Sequence, residues 1–300
     1  MTLIIICGAT ATGKSDLGVA LAKKIGGQVV NADSMQLYKG MDIGTAKLSM
    51  KERDGVDHHL LDVATVESDV NVAWYQERAR AKIDELLAMQ IPVIVVGGTG
   101  LYIKAIVDDL NFPDTDPAVR EKLNQEAESL GGEILHARLA SLDPAAALAI
   151  PKENVRRVIR ALEVIEITGL PYTANLPRVD STRYPQALHF GLVMDREKLQ
   201  DRIDLRVERM WEAGLVAEVD LLISQGLLEG RTARAALGYA QIIAHRAGST
   251  TEEHAKEETK RVTRAYVRRQ ETWFSRDRRI SWLREDSDRL GIIEAAILSS

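Results

Sequence analysis

Residues 8–15 read Gly-Ala-Thr-Ala-Thr-Gly-Lys-Ser, and their surroundings narrow the choice of fold at once. The apolar run Leu3-Ile4-Ile5-Ile6-Cys7 precedes them and the helical pattern Leu17–Ala22 follows. A G-x-x-x-x-G-K-[ST] run between a strand and a helix is a phosphate loop. Its glycines let backbone N–H groups curl around phosphate oxygens, and the helix N-terminus adds partial positive charge. Gly8, Ala9, Thr10, Ala11, Thr12 and Gly13 would form the cradle, Lys14 would reach the outer phosphates, and the Ser15 hydroxyl would face a Mg²⁺ ion. The loop specifies a chain of phosphates and leaves open which molecule carries it.

Further strands come at regular intervals. Gln28–Asn31 is a short apolar run leading to Asp33, and Pro92–Val96 is a continuous apolar run stopped by Gly97-Gly98. Val72–Met89 between them repeats apolar residues at helical spacing. The order β-α-β-α-β predicts an α/β fold, a core like that of the P-loop NTPases with a mostly parallel sheet and helices on both faces. In such sheets ligands gather at the carboxyl ends of the strands. Asp33 and Thr99 both stand there, each readable as a ligand contact or as a helix N-cap.

The pattern changes after Asn111-Phe112-Pro113-Asp114-Thr115-Asp116-Pro117. From Ala118 to Gly169 the periodicity is helical, 171–185 reads as a loop, and Ala187–Met194 returns as a strand. An all-helical insertion at 114–185 is therefore expected within a core made of 1–113 and 186–300. In the insertion, Arg156, Arg157 and Arg160 crowd one helical turn, as a solvated face or a phosphate-binding one. Downstream, Arg202, Arg206 and Arg209 share one side of a helix that also carries Asp201, Asp204 and Glu208 as possible partners on the same helix. The helix from Glu252 to Phe274 interleaves Lys256, Lys260, Arg261, Arg264, Arg268 and Arg269 with Tyr266, Trp273 and Phe274, a combination that suits nucleic acid.

Composition excludes several classes. A net charge of −5 gives no global cationic field, so any nucleic-acid contact must be local. The single cysteine, Cys7, supports neither a disulfide nor a thiolate metal cluster and reads as a small buried apolar residue. His58 and His59 are adjacent and lack ligand-spaced partners. No run is long enough to span a membrane, and a cytoplasmic location is expected.

Most phosphate-loop proteins hydrolyse or transfer the phosphates of a nucleotide, with Mg²⁺ steadied by an Asp at the end of an apolar strand. Here the strand at 93–96 ends in Gly-Gly-Thr, and the strand-end acid is Asp33. That arrangement also allows a diphosphate to be held as a leaving group while Asp33 deprotonates a nucleophile.

The blocks Gly8–Ser15, Asn31–Tyr38, Met41–Lys47, Gly97–Tyr102, Arg157–Glu163, Leu237–Tyr239 and Thr263–Phe274, in this order, resemble the tRNA dimethylallyltransferases. The resemblance covers nearly the whole chain. It implies transfer of a dimethylallyl group from dimethylallyl diphosphate to N6 of adenosine 37 in tRNA, by a monomer using Mg²⁺ held through Ser15. It further implies that Asp33 is the general base, that the loop with Lys14, Thr99 and Arg206 holds the diphosphate, and that Ser34, Met35 and Gln36 line the entry of the adenine. Arg156, Arg157, Arg160, Gly238, Tyr239, Arg264 and Arg268 would then meet the anticodon stem-loop. Three rivals remain: a prenyltransferase of free adenine nucleotides, a phosphate-loop kinase, and a non-catalytic RNA-binding module.

Overall fold

A computed structural model of the chain describes residues 2–175 and 182–299. They form two compact units, Met1–Val107 with Tyr184–Ser300, and Asp108–Arg183. The loop expected over 171–185 falls partly on 176–181, which lie outside the described residues.

The first unit opens with β1 (Leu3–Gly8), α1 (Lys14–Ile25), β2 (Gln28–Asn31), a two-residue strand β3 (His58–His59), α2 (Val72–Ala88), β4 (Val93–Val96) and α3 (Gly100–Val107). The helices of the second unit follow: α4 (Pro117–Leu130), α5 (Gly132–Leu142), α6 (Pro144–Ala149) and α7 (Val155–Thr168). The first unit then resumes with β5 (Leu188–Leu192), α8 (Arg196–Glu212), α9 (Leu215–Ser224), α10 (Tyr239–Arg246), α11 (Glu252–Phe274), β6 (Ile280–Leu283) and α12 (Arg289–Leu298).

The six strands make one sheet in the order β3-β2-β4-β1-β5-β6, and every pairing is parallel. A parallel sheet is covered on both faces, which explains why β1 is apolar throughout and wholly buried. Its alternate residues serve different cores. Leu3, Ile5 and Cys7 join Val93 and Val95 against Tyr75, Ala79 and Ile83 of α2. Ile4 and Ile6 join Ile94 and Val96 against Leu21 and Ala22 of α1 and Ile293 of α12. Cys7 sits in the first of these layers with its thiol pushed up to about 12 by burial, so it is inert as a nucleophile. A third core gathers Tyr38 and Met41 from the loop after β2 with Leu215, Val219 and Leu222 of α9 and Tyr239 of α10. It gives that loop a fixed shape although the loop has no regular structure.

Among its described residues the second unit is built of helices, with one isolated antiparallel bridge between Asp108 and Thr182. Asp116, Asp143 and Asn154 cap α4, α6 and α7 with side-chain oxygens, and prolines occupy the first turns of α4 and α6. Leu123, Leu135, Leu139, Val158 and Leu162 form its core. Glu163, fully buried on α7, accepts from Arg120 at 2.7 Å and Arg160 at 2.9 Å, and from the Asp116 N–H at 3.1 Å. No described helix of the chain is long and apolar enough to cross a membrane.

Candidate functional site

The turn from β1 into α1 bends through three left-handed residues, Gly8 at φ +133°, Ala11 at φ +68° and Gly13 at φ +88°. A Cβ on Gly8 would stand 2.8 Å from the Leu192 carbonyl oxygen on β5, so glycine is required there for space as well as conformation. Ala11 holds this conformation without being glycine, a local strain of the kind that collects at ligand sites. No side chain caps α1, so its first N–H groups are open to an anion. The Lys14 ammonium folds back to donate to the Ala9 carbonyl at 2.6 Å, and the Thr12 hydroxyl donates to the same oxygen at 2.8 Å.

Below the loop lies a cavity of about 210 Å³, whose walls include Lys14, Ser15, Asp33, Gln36, Arg202 and Arg206. Burial pushes the Lys14 ammonium down to about 8; the Asp33 carboxylate opposes that shift and the Arg206 guanidinium adds to it. Arg206 is likewise lowered by burial and supported by Asp33. In the cavity the Asp33 carboxylate thus acts on two cations that burial leaves poorly hydrated, Lys14 and Arg206, a place where phosphate oxygens would be strongly attracted.

Asp33 is not a helix cap: the residues after it form turns. Its N–H donates to Asn31 Oδ1 at 2.9 Å, and its Oδ1 accepts from the Met35 N–H at 2.9 Å. Asn31 Nδ2 donates in turn to the Asp33 and Leu60 carbonyls. The carboxylate is therefore aimed by a chain of side-chain and backbone bonds that begins in a buried residue of β2. Thr99 is not a cap through its side chain either, because its Oγ1 accepts from the Ser34 N–H at 3.1 Å. This joins the residue after Asp33 to the turn after β4. Met35 packs against the third core, and Gln36 lines the cavity while Nε2 donates to the Thr45 carbonyl at 3.1 Å. Arg206 Nη2 reaches that same carbonyl at 3.3 Å.

Several residues expected on RNA have other duties. Tyr239 is fully buried and its hydroxyl donates to Glu218 at 2.5 Å, its own ionisation pushed up by burial and by that carboxylate. Glu218 also accepts from the Asp42, Ile43 and Gly44 N–H groups at 3.1, 2.7 and 3.3 Å. Tyr239 thus shapes the 41–47 loop from inside, and Gly238 starts α10 in a left-handed conformation. Arg264 is bound bidentately by Asp204 of α8, and Lys260 and Lys256 by Glu208. Asp204 and Glu208 of α8 therefore pair across to α11 rather than along their own helix. Arg160 is spent on Glu163 and on the Pro113 and Asp114 carbonyls. Arg156 and Arg157 are exposed with no ion pair among the described residues, and so is Arg268; Arg269, also exposed, lies over the Tyr266 ring at 5.5 Å.

Four residues at the site are not assigned to it by the sequence. Arg202 lines the cavity one turn before Arg206. Arg289 of α12 donates to the Thr12 carbonyl of the phosphate loop at 3.2 Å. Tyr266 and Gln270, both on α11, reach the turns that follow β1 and β4. The i, i+4 spacing of Tyr266 and Gln270 was a signal that they share a face, but nothing local said what that face meets.

No described group of three His, Cys, Asp or Glu side chains could cage a metal. The Ser15 hydroxyl at the cavity wall is a hard oxygen donor. It suits Mg²⁺, which takes one or two protein ligands and completes its shell with phosphate oxygens and water.

The sequence model of the IPP transferase family matches residues 36–277. The chain is 57% identical over 281 residues to a tRNA dimethylallyltransferase of Streptomyces coelicolor, covering 94% of this chain and 89% of that protein. It is 57% identical over 291 residues to that of Thermobifida fusca, covering 95% and 91%. Among solved structures, the tRNA isopentenylpyrophosphate transferase of Bacillus halodurans superposes with a TM-score of 0.73 at 38% identity, covering 99% of this chain and 96% of that one. A eukaryotic dimethylallyltransferase described as acting on tRNA shares the fold, with a TM-score of 0.80 at 24% identity over 99% and 78% of the two chains.

Proposed function

Since the chain belongs to the IPP transferase family, we propose that it transfers a dimethylallyl group from dimethylallyl diphosphate to N6 of adenosine 37 in tRNA. The observation that carries the chemistry is the shared cavity in which Asp33 faces Lys14 and Arg206 beneath the phosphate loop. An exocyclic adenine amine is a weak nucleophile because its lone pair is delocalised into the ring. The N6–C1 bond forms as the bond from C1 to the diphosphate oxygen breaks. Asp33 accepts the N6 proton, and the diphosphate leaves with the bonding electrons. Lys14, Arg206 and the first N–H groups of α1 neutralise the charge that grows on the leaving oxygens. The Ser15 hydroxyl is the protein oxygen available to Mg²⁺, whose charge would add to theirs. Adenosine must leave its stack to reach a carboxylate in such a cavity, and Ser34 and Gln36 stand beside Asp33 to receive it. Thr99 serves the site by holding Ser34, and reaches the diphosphate only if that bond is exchanged. Of the arginines the resemblance puts on RNA, Arg156, Arg157 and Arg268 are exposed and available to its phosphates, and the exposed Arg269 stands beside Arg268. The same reading has the protein act as a monomer in the cytoplasm.

The test is direct. Protein, Mg²⁺ and dimethylallyl diphosphate are mixed with unmodified tRNA or with AMP, and digested nucleosides are weighed. Five carbons on adenosine 37 of tRNA, none on AMP, and loss of the signal in Asp33→Asn with tRNA affinity retained are expected. Addition to AMP alone would move the chain to the free-nucleotide branch. Full turnover by Asp33→Asn would remove the base assignment.

A further inference from the structure

Gln270 of α11 is only 4% exposed, yet its carboxamide serves two loops more than a hundred residues away in sequence. Oε1 accepts from the Thr10 N–H of the phosphate loop at 2.9 Å, and Nε2 donates to the Gly98 carbonyl after β4 at 2.8 Å. The partners fix the amide's orientation, since an N–H needs the oxygen and a carbonyl needs the NH₂. The glycines of the 97–100 turn are spaces that α11 fills. A Cβ on Gly98 would stand 2.4 Å from Gln270 Nε2, and one on Gly100 would stand 2.1 Å from the Trp273 ring. One turn earlier on α11, the Tyr266 hydroxyl lies beside the side chains of Thr99 and Gln270. The loop residue that Gln270 holds, Thr10, stands next to Ala11, whose left-handed backbone needs an outside restraint.

We infer that Gln270 is a positioning residue for the diphosphate: by tying the Thr10 amide to the Gly98 carbonyl it holds the crest of the phosphate loop and the turn bearing Thr99 in one fixed spacing. The inference rests on reading the cavity as a diphosphate site. It explains why an amide stands there. Alanine would release both loops. A glutamate would keep the Thr10 bond but present a second oxygen to the Gly98 carbonyl, pushing the two loops apart until it gained a proton.

Gln270→Ala and Gln270→Glu are compared with the wild-type chain by calorimetry with inorganic pyrophosphate and Mg²⁺, by tRNA binding, and by steady-state kinetics in both substrates. Pyrophosphate affinity is expected to fall about ten-fold, the size of a lost buried hydrogen bond. The KM for dimethylallyl diphosphate should rise with it while the KM for tRNA stays put. In Gln270→Glu the defect should shrink as pH falls and the carboxyl becomes a donor, a response with no counterpart in the wild type. Should Gln270→Ala melt below the assay temperature, the glutamate variant and its pH response carry the test. Pyrophosphate binding within about two-fold of wild type in the variants, or equal rises in both KM values, would reduce Gln270 to a packing residue and overturn the inference. A wild-type protein that binds pyrophosphate in a Gln270-dependent way but modifies no tRNA would keep the inference and sink the proposed reaction. A wild type that binds no pyrophosphate would overturn both.

Discussion

Raising the pH should switch off the diphosphate seat through one residue, Lys14. Its ammonium is lowered from 10.5 to about 8, by burial first and by Arg206 after it, with Asp33 pulling the other way. The shift corresponds to about 3 kcal/mol against the charged form, a penalty that an arriving diphosphate relieves. The sign follows from the direction. A lysine with a lowered pKa is cationic below about 8 and neutral above it, so the free enzyme loses a phosphate ligand as pH rises through that value. In steady-state assays of transfer to tRNA, kcat/KM for dimethylallyl diphosphate should be flat below about 8 and fall about ten-fold per unit above it, since kcat/KM reports ionisations of the free enzyme. The limb in kcat should lie higher, because the bound diphosphate holds the proton on Lys14. Lys14→Arg, slower overall, should lose the alkaline limb because guanidinium does not titrate in this range. A wild-type profile flat through about pH 9.5, or an unchanged limb in Lys14→Arg, would show that the cation of the seat has been misassigned.

Two further outcomes concern RNA and stability. Replacing Arg268 and Arg269 together by alanine should weaken tRNA binding and lower the salt slope by about two, whereas Arg264→Ala should leave the slope unchanged and lower the melting temperature, since Arg264 is already held by Asp204; a slope that changes only in Arg264→Ala would reverse the assignment. Glu163→Ala strands Arg120 and Arg160 beside a buried void and should destabilise the helical unit by about 3–5 kcal/mol in chemical denaturation, an expectation undone by a transition within error of wild type.

What could be read from the sequence was what the chain writes locally. The phosphate loop, the strands on either side of it and the positions of Asp33 and Thr99 follow from runs of a few residues, and the structure places them where those runs predict. Two bland alternatives, Asp33 and Thr99 as helix caps, are settled only by the structure, through the turns that follow Asp33 and the bond that Thr99 Oγ1 accepts from Ser34. Pairings between distant segments were not legible. Asp204 and Glu208 have arginines as neighbours on their own helix, but they pair with Arg264 and Lys260, 60 and 52 residues away on α11. Tyr239, which the resemblance places on RNA, is fully buried with its hydroxyl on Glu218 of another helix, a pairing that nothing local announces. Gln270 lies within the block Thr263–Phe274, but nothing local gives it a task, because its partners at Thr10 and Gly98 are 260 and 172 residues away. The two-residue β3 has no periodicity to detect at all, and exists because β2 offers it an edge.

On the proposed reading, the ends of β2 and β4 favour a diphosphate held as a leaving group over a nucleotide to be hydrolysed. In phosphate-loop NTPases an acid at the end of an apolar strand supports the metal beside the phosphates. Here the end of β4 has no room for any side chain. A Cβ on Gly97 would lie 2.2 Å from the Ala32 carbonyl oxygen, and one on Gly98 would meet Gln270. The neighbouring backbone crosses so closely that the next residue along it, Asp33, is delivered into the cavity from β2 instead. Among the described residues its carboxylate accepts from one backbone N–H, that of Met35, and it acts on the cations of the cavity. An acid placed in this way shares the cavity with whatever approaches the phosphates. For a proton-bearing nucleophile attacking a carbon ester of diphosphate, that is where a base must stand.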